Sequence, residues 1–355
     1  MDQPLLKKRK KPRLLAPIKS FNGVVKVINA GADEVYCDVY PPRLTEFVLH
    51  RGPFCALPSY EELERVVKYA HDNCTKVLLT ANIPFMTEAM EEPMREHIQV
   101  CIDSGIDGLI IGDMGLLLLL KEMSVDTALI ASTFFVSMNL EAVDFLVKLG
   151  VRRVILERQL TLDEMARIAE YGNAEIEIFI HGGGCSNLNG RCYLLHLHEN
   201  QELRNALAEI DGIKAPCMLS FEVFDLTSRL KLGEHPVLDA ATWCSICRLP
   251  ELLRIGAAGF KIVGRCFNEE YQEKTTRLYR ELIDLVWNGQ LDSFYAKVQS
   301  LKKNFYPLLP PTLNLEEYCC EQERCYYSKF FHAPYKIPLS LSSWTKFQFK
   351  KVYEH

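Results

Sequence analysis

Short apolar, β-branched runs alternate along the chain with longer stretches whose apolar residues recur at helical spacing. Two of the longer stretches are 60–73 and 162–171, and the second carries Asp163 and Glu164 in its first turn, where negative charge suits the helix dipole. The other clear helical patterns are 87–104 and 140–149. This alternation is typical of repeated βα units. The apolar runs predict eight strands, at 14–18, 34–39, 76–81, 108–112, 128–132, 153–157, 175–181 and 260–263.

Eight strands separated by helices predict an α/β fold, a closed TIM-like (β/α)8 barrel of parallel strands. An open doubly wound sheet is the alternative. It is less favoured because no glycine-rich phosphate loop follows the first run, where Pro17-Ile18-Lys19-Ser20 stands instead. The predicted organisation is a basic flexible arm over 1–12, a barrel over 13–285 that includes an insertion at 182–258, and a small C-terminal appendage over 286–355.

Composition allows a large core, since 48% of the 355 residues are hydrophobic and 25% are charged. The basic run at 7–11 is not followed by a long apolar segment, so we expect a cytoplasmic protein without a signal peptide or membrane span. The net charge of −5 makes the chain a poor general binder of nucleic acid. RNA therefore remains an alternative partner, with the basic arm as a contact to phosphates.

The βα rhythm breaks once, between the seventh and eighth predicted strands, where about 60 residues form an excursion of the length that usually has a function. An insertion at this point leaves the C-terminal rim of the barrel, where active sites of this fold are built. We therefore expect one mouth to hold both the substrate and the cysteines of this segment, which are Cys185, Cys192, Cys217, Cys244 and Cys247.

Clustered thiols in a reducing compartment favour a metal site over disulfides, and thiolates suit zinc or an iron–sulfur cluster. Zinc ribbons use two close Cys-x-x-Cys pairs, whereas here only Cys244 and Cys247 are close. We therefore favour a [4Fe–4S] cluster, and buried inert cysteines are the alternative. Its predicted ligands are Cys185, Cys192, Cys217 and either Cys244 or Cys247, beside a backbone that Gly182, Gly183 and Gly184 leave open to approach and hydrogen bonding.

Polar side chains at the predicted strand ends are the candidate substrate site. Arg158 and Arg265 would clamp a carboxylate or phosphate, and Glu157, Glu177 or His181 would move protons. The alternatives are salt bridges inside the barrel, for example of Glu157 or Glu177 with a facing arginine or Lys261, and a hydrogen-bonded structural histidine. The full candidate set is Asp38, Asn82, Asp113, Ser132, Glu157, Arg158, Glu177, His181 and Arg265.

The segment Glu177-x-Phe179-x-x-Gly182-x-x-Cys185-x4-Gly190-x-Cys192 closely resembles the signature of the collagenase-like peptidase family numbered thirty-two among peptidases of unknown catalytic type. Matching pieces follow in order over 13–285, from the opening Leu14-Leu15-Ala16-Pro17 to Lys261-Ile262-Val263-Gly264-Arg265. The chain departs from the family at Gly183 and Gly184, and at Val263, where a glutamate is usual. The chain therefore resembles a divergent member of this family.

The resemblance implies an iron–sulfur enzyme that inserts a hydroxyl group without dioxygen, with an organic donor such as prephenate. Similar members include ubiquinone hydroxylation proteins that work as a pair, and enzymes that hydroxylate bases of transfer or ribosomal RNA. We expect a small-molecule, quinone-like, peptide or natural-product substrate. An RNA base hydroxylase, a collagenase-like peptidase and a non-catalytic cluster-bearing subunit of a heterodimer are the alternatives. Several relatives carry a cysteine at the position of Cys244, which makes it the preferred fourth ligand.

A peptidase would need an activated nucleophile, a metal-bound water or a carboxylate pair. The chain has no HExxH motif and no nucleophile elbow, which leaves His181 beside Cys185 as the conceivable pair. In the appendage, three further thiols predict either ordinary burial, a second metal or a cover over the first cluster: Cys319, Cys320 and Cys325.

Overall fold

The structure is a computed structural model that describes residues 10–39, 43–44, 55–184, 187–191, 220–225, 228–236, 243–304, 326 and 347–350. Most of the predicted basic arm and the appendage lies outside these ranges. The same holds for six cysteines to which the sequence assigned a role: Cys185, Cys192, Cys217, Cys319, Cys320 and Cys325.

Eight parallel strands close into a barrel, which confirms the predicted fold class. Seven of them are β1 to β7, at Arg13–Pro17, Glu34–Cys37, Lys76–Ala81, Gly108–Ile111, Ala128–Ala131, Arg153–Ile155 and Glu175–His181. An inserted hairpin supplies β8 and β9, at Ser220–Asp225 and Lys231–Pro236, and the eighth barrel strand is β10 at Gly259–Ile262. Strand β10 pairs with both β1 and β7, which closes the ring. Several strands end one or two residues before the apolar runs do, because those residues already belong to the loops at the rim.

Helices follow the barrel strands and cover its outside. They are α1 to α9, at Phe21–Asn29, Tyr60–Asp72, Glu88–Asp103, Met114–Glu122, Leu140–Lys148, Leu162–Glu170, Leu249–Ile255, Glu269–Trp287 and Leu291–Asn304. Helix α6 begins with a full capping box, in which Thr161 and Glu164 each accept the other's backbone N–H. None of the described helices is long and apolar enough to cross a bilayer.

An ion cluster fills the N-terminal half of the barrel interior. The guanidinium of Arg153 makes two hydrogen bonds to Glu34, at 2.6 and 2.9 Å, and one to Glu177, at 3.0 Å. Burial works against the charge of Arg153, but the hydrogen bonds and charges of the two carboxylates raise its pKa above the ordinary value. Glu177 also lies 3.8 Å from Lys261. The structure thus places Glu177 inside the barrel in the salt-bridge arrangement, and not on the rim where the sequence put it.

The insertion and the C-terminal region share a small sheet. Strands β8 and β9 form an antiparallel hairpin, and β11, at Phe347–Lys350, pairs antiparallel with β8. Helix α8 continues to Trp287, two residues past the predicted end of the barrel at 285. A strand from the predicted appendage therefore completes a sheet that begins inside the predicted insertion.

Candidate active site at the barrel mouth

The ends of β2, β3 and β10 bring an ion pair to the C-terminal rim. Arg265, which follows β10, places its guanidinium 3.3 Å from the carboxylate of Asp38, and the same nitrogen donates to the hydroxyl of Thr80. The guanidinium carbon lies 5.9 Å from the ring centroid of Tyr36, and the Lys261 ammonium nitrogen lies 4.1 Å from the same centroid. The structure therefore brings the predicted residues Arg265 and Asp38 together at one side of the mouth.

A second polar group lies at the end of β6. The carboxylate of Glu157 is fully buried and accepts the backbone N–H of Asn189 at 2.7 Å and that of Arg158 at 3.3 Å. Arg158 in turn donates to the side chain of Asn189, which donates to Thr133 at 2.7 Å. Burial raises the pKa of Glu157, although the charge of Arg158 and both hydrogen bonds oppose the rise. Glu157 and Arg158 hold the loop between the first two signature cysteines against the rim.

The glycine run packs against the end of β10 and the insertion. Gly182 has a φ of 75°, and a Cβ added to it would stand 2.3 Å from the carbonyl oxygen of Val263. A Cβ on Gly184 would stand 2.0 Å from the ring of Trp243. These glycines are therefore required by close backbone contacts within the rim. Their predicted contacts to a cluster stay a prediction, because Cys185 is outside the described ranges.

Cys244 joins this rim through the backbone. It forms an antiparallel bridge with His181, and the neighbouring Trp243 accepts the N–H of Gly182 at 2.8 Å. Cys247 lies one turn further on, in the 3-10 turn Ile246–Arg248. Both thiols are partly exposed and neither forms a disulfide. Thus the preferred fourth ligand lies next to the glycine run that leads into the first predicted ligand.

A metal centre is not complete within the described ranges. There, no three His, Cys, Asp or Glu side chains are grouped so that they could hold an ion. Three of the four predicted cluster ligands fall in the gaps of the description. The donor chemistry of the part that is described, a partly exposed thiol at the rim, fits an iron–sulfur cluster, because soft thiolates are its usual ligands.

His181 points away from the mouth and lies between β7 and α8. Its Nε2 is 2.7 Å from the hydroxyl of Tyr271, and its Nδ1 is 3.2 Å from that of Tyr279. Tyr279 gives its own hydrogen to the carbonyl of Ile180, so Nδ1–H donates to Tyr279 and Tyr271 donates to Nε2. Burial lowers the pKa of His181 to about 3. The imidazole is therefore neutral and held on both sides, as the structural alternative for this residue supposed.

The remaining candidates at the strand ends have local partners. The carboxylate of Asp113 accepts the N–H of Leu116 at 2.9 Å and caps α4, and the hydroxyl of Ser132 caps the short turn after β5. Asn82 is partly exposed after β3. Asp113 and Ser132 thus hold loop geometry, and their catalytic use stays a prediction.

Tyr326, from the predicted appendage, inserts into the same rim. It is almost completely buried, its hydroxyl donates to the carbonyl of Gly182, and its N–H lies 3.3 Å from the carbonyl oxygen of Cys244. Its ring packs edge-on against Trp243, with centroids 5.9 Å apart. This contact brings Tyr326 to the mouth, whereas the three alternatives for Cys319, Cys320 and Cys325 stay predictions, since those residues lie outside the described ranges.

A disulfide joins Cys55 and Cys266, with Cα atoms 4.6 Å apart. Sequence reasoning did not find this pair, because the cysteines are 211 positions apart and only the closed barrel brings β2 and β10 near each other. It also missed Tyr36, Thr80 and Asn189 at the mouth. Asn189 had a usable signal, since it stands inside the cysteine signature, whereas Tyr36 and Thr80 occupy ordinary strand positions.

Known proteins resemble this chain in sequence over most of its length. The chain is 29% identical over 299 residues to an uncharacterized protease of Methanocaldococcus jannaschii, covering 82% of this chain and 69% of the relative. It is 28% identical to tRNA hydroxylation protein P2 of Bacillus subtilis, covering 81% of this chain and 90% of the relative. It is also 28% identical to a 23S rRNA 5-hydroxycytidine synthase of Escherichia coli, where the match covers 85% of this chain but only 44% of the synthase.

A family model decides the assignment. The model of peptidase family U32 matches residues 19–314. This range includes seven of the eight barrel strands, all but β1, together with the glycine run and the inserted hairpin. This range also contains every cysteine of the insertion. The chain belongs to peptidase family U32.

Proposed function

We propose that the protein is an iron–sulfur enzyme that hydroxylates its substrate without dioxygen at the mouth of the barrel. The observation that carries the proposal is the position of Cys244, which the bridge to His181 places beside the glycine run leading into Cys185. The same rim carries Arg265 and Arg158. Cys185, Cys192, Cys217 and Cys244 would hold a [4Fe–4S] cluster, which supplies one-electron redox chemistry when bound.

In this scheme the residues of the chain bind the substrate or the hydroxyl donor and position the loops around the mouth. Arg265 has a fixed guanidinium at the rim and would bind an anionic group of the substrate or of the hydroxyl donor, for which prephenate is our candidate. Glu157 and Asn189 position the loop between Cys185 and Cys192. Tyr326 and Trp243 cover the glycine run and keep water away from that side of the mouth.

A base of RNA is the substrate class that we place first. Two relatives are named for the hydroxylation of tRNA or of a 23S rRNA cytidine, which supports this choice over the quinone-like, small-molecule or peptide substrate that the sequence favoured. The basic run at 7–11 would contact phosphates. A small molecule is the second candidate. Isolated arginines at the mouth suit one anionic group better than a phosphate backbone, and the net charge of −5 disfavours nucleic-acid binding.

Peptide hydrolysis receives less support from the described residues, although one relative is named a protease and another a collagenase. His181 is buried, neutral and hydrogen-bonded at both nitrogens to tyrosines, so it is not positioned to act as the base for a Cys185 nucleophile.

A non-catalytic subunit paired with a related protein is the remaining alternative. Activity of the purified chain alone would exclude that arrangement, and activity only with a related chain would support it.

Cluster binding is tested by anaerobic reconstitution, with iron and sulfide measured per chain and the visible spectrum recorded. We expect Cys185→Ala, Cys192→Ala and Cys244→Ala each to lose most of the iron and the absorption of the cluster. Cys74→Ala is the matched control, because Cys74 is an exposed thiol before β3 at the opposite end of the barrel. Full iron in the three variants would exclude those residues as ligands.

Substrate class is tested in cells. RNA from a strain that lacks the gene, and from the same strain with the gene restored, is digested to nucleosides and compared by mass spectrometry. We expect one nucleoside to gain an oxygen only when the wild-type chain is present, and Arg265→Met to abolish the gain without loss of iron. Identical nucleoside profiles in all strains would exclude an RNA base as the substrate and favour a small molecule.

A further inference from the structure

The disulfide between Cys55 and Cys266 crosses one strand of the barrel. Cys266 follows β10, and Cys55 lies in the connection between β2 and α2. Strands β2 and β10 are the two neighbours of β1. The bridge therefore ties together two segments that no hydrogen-bonded ladder joins directly, above the C-terminal end of β1.

The same two segments carry the ion pair of the mouth. Cys266 is the residue after Arg265, whose guanidinium contacts Asp38 at 3.3 Å. On the other side, Leu57 stands two residues after Cys55 and donates its N–H to the carbonyl of Asp38 at 2.7 Å. The segments of Cys55 and Cys266 thus meet at one junction, which the disulfide and the ion pair of Arg265 with Asp38 both hold together.

The two halves of this junction are not equally anchored. The side chain of Gln272, on α8, donates to the carbonyls of Gly264 and Arg265 at 3.0 and 3.2 Å, and Lys19 donates to that of Cys266 at 3.3 Å. The segment of Cys266 is therefore held by the barrel even without the bridge. The segment of Cys55 is joined to the end of β2 by the hydrogen bond of Leu57 to Asp38 and by the isolated β-bridge between Leu57 and Val39. If the disulfide opens, the segment of Cys55 is the side that loosens, and the hydrogen bond from Leu57 carries the change to the backbone of Asp38.

We propose that Cys55 and Cys266 form a reversible redox site that controls how firmly Asp38 holds Arg265 at the mouth. A dithiol reductant opens it by thiol–disulfide exchange: the S–S bond takes up two electrons and two protons, two thiols form, and the reductant becomes a disulfide. Attack occurs at the sulfur of Cys266, because that residue is partly exposed while Cys55 is buried. Opening leaves Arg265 attached to β10 and Asp38 attached to β2, but removes the covalent link between the loops that follow these strands, so an anionic ligand meets a less ordered guanidinium.

The chemistry of the site is tested by thiol mapping on the full chain. The protein isolated in air is treated with iodoacetamide before and after dithiothreitol and then digested for mass spectrometry. We expect both cysteines to be labelled only after reduction, and oxidised dithiothreitol to restore their protection. Labelling of both in the unreduced protein, or failure of the bridge to re-form, would overturn the proposal.

The coupling to the mouth is tested by hydrogen exchange. We expect reduction to speed exchange of the Leu57 amide by about tenfold or more, while amides of β7 stay unchanged, since only the junction loses a constraint. Cys55→Ser without reductant should reproduce this change, and Cys74→Ser should not. If Cys55→Ser fails to fold, the reduced wild-type protein supplies the same measurement. Unchanged exchange at Leu57 after confirmed opening would refute the coupling, and iron content measured in parallel separates this result from the fate of the cluster.

Discussion

Removing the guanidinium of Arg153 should destabilise the barrel severely. The Arg153→Met variant deletes two hydrogen bonds to Glu34 and one to Glu177, whose side chains are 1% and 0% exposed. Arg13 and Lys261 stay near these carboxylates, at 3.2 and 3.8 Å, but neither replaces the paired geometry. Breaking a buried ion pair on one side lowers the free energy of unfolding by about 4 kcal/mol, because Arg13 and Lys261 then leave part of the buried negative charge uncompensated.

Urea unfolding followed by far-ultraviolet circular dichroism measures this loss. The matched control is Arg277→Met, which breaks an exposed pair with Glu273 at 2.9 Å and should lower the free energy of unfolding by less than about 1 kcal/mol. Adding Glu34→Gln to Arg153→Met removes one stranded charge and should restore about 1 kcal/mol or more. Equal losses for Arg153→Met and Arg277→Met would show that the cluster is solvated and would refute the reasoning.

Three further predictions concern other parts of the structure. The unfolded chain protonates His181 near pH 6.5 but the folded chain only near pH 3, so stability should fall on acidification through that window by up to about 1.4 kcal/mol per pH unit. The free energy of unfolding, measured with urea at pH 7 and at pH 5, should change less between the two pH values in His181→Gln than in the wild type. An identical change in both proteins would contradict the burial of His181. Gly182→Ala should lower the free energy of unfolding by about 3 kcal/mol, since backbone strain adds to a clash with β10. Gly150→Ala, with a φ of 97° and open space around it, should lose only about 1 kcal/mol, and equal losses would exclude the clash. Opening the loop of 211 residues closed by Cys55 and Cys266 should lower the free energy of unfolding by up to about 5 kcal/mol, and an unchanged urea midpoint after reduction would show that the bridge does not constrain the unfolded chain.

Much of the barrel was predictable because its signals are local. Short apolar runs and capped helical stretches arise from neighbouring residues, and Thr161 with Glu164 shows how four positions specify where a helix begins. The hairpin of β8 and β9 escaped prediction. It lies in the insertion, where the βα rhythm that marks the barrel strands is absent, and its third strand, β11, comes from the far end of the chain.

The candidate site was predictable in part. The rim positions of Asp38 and Arg265 followed from the rule that strand ends of a barrel meet at one face. Glu177 and His181 broke that expectation. Glu177 faces the ion cluster inside the barrel, and His181 turns outward to α8. The two residues are four positions apart, so strict alternation would put them on one face, but the register between β7 and β10 shifts just before His181 and reverses the alternation.

The sequence by itself determined the βα order, the closed barrel and the family signature, since periodicity and spacing are properties of the chain alone. Only the tertiary structure decided which polar residues meet: Arg153 with Glu34, Arg265 with Asp38, Cys55 with Cys266 and Tyr326 with Gly182. These partners are far apart in sequence, and no local pattern encodes a contact that arises when strands distant along the chain become neighbours around a ring.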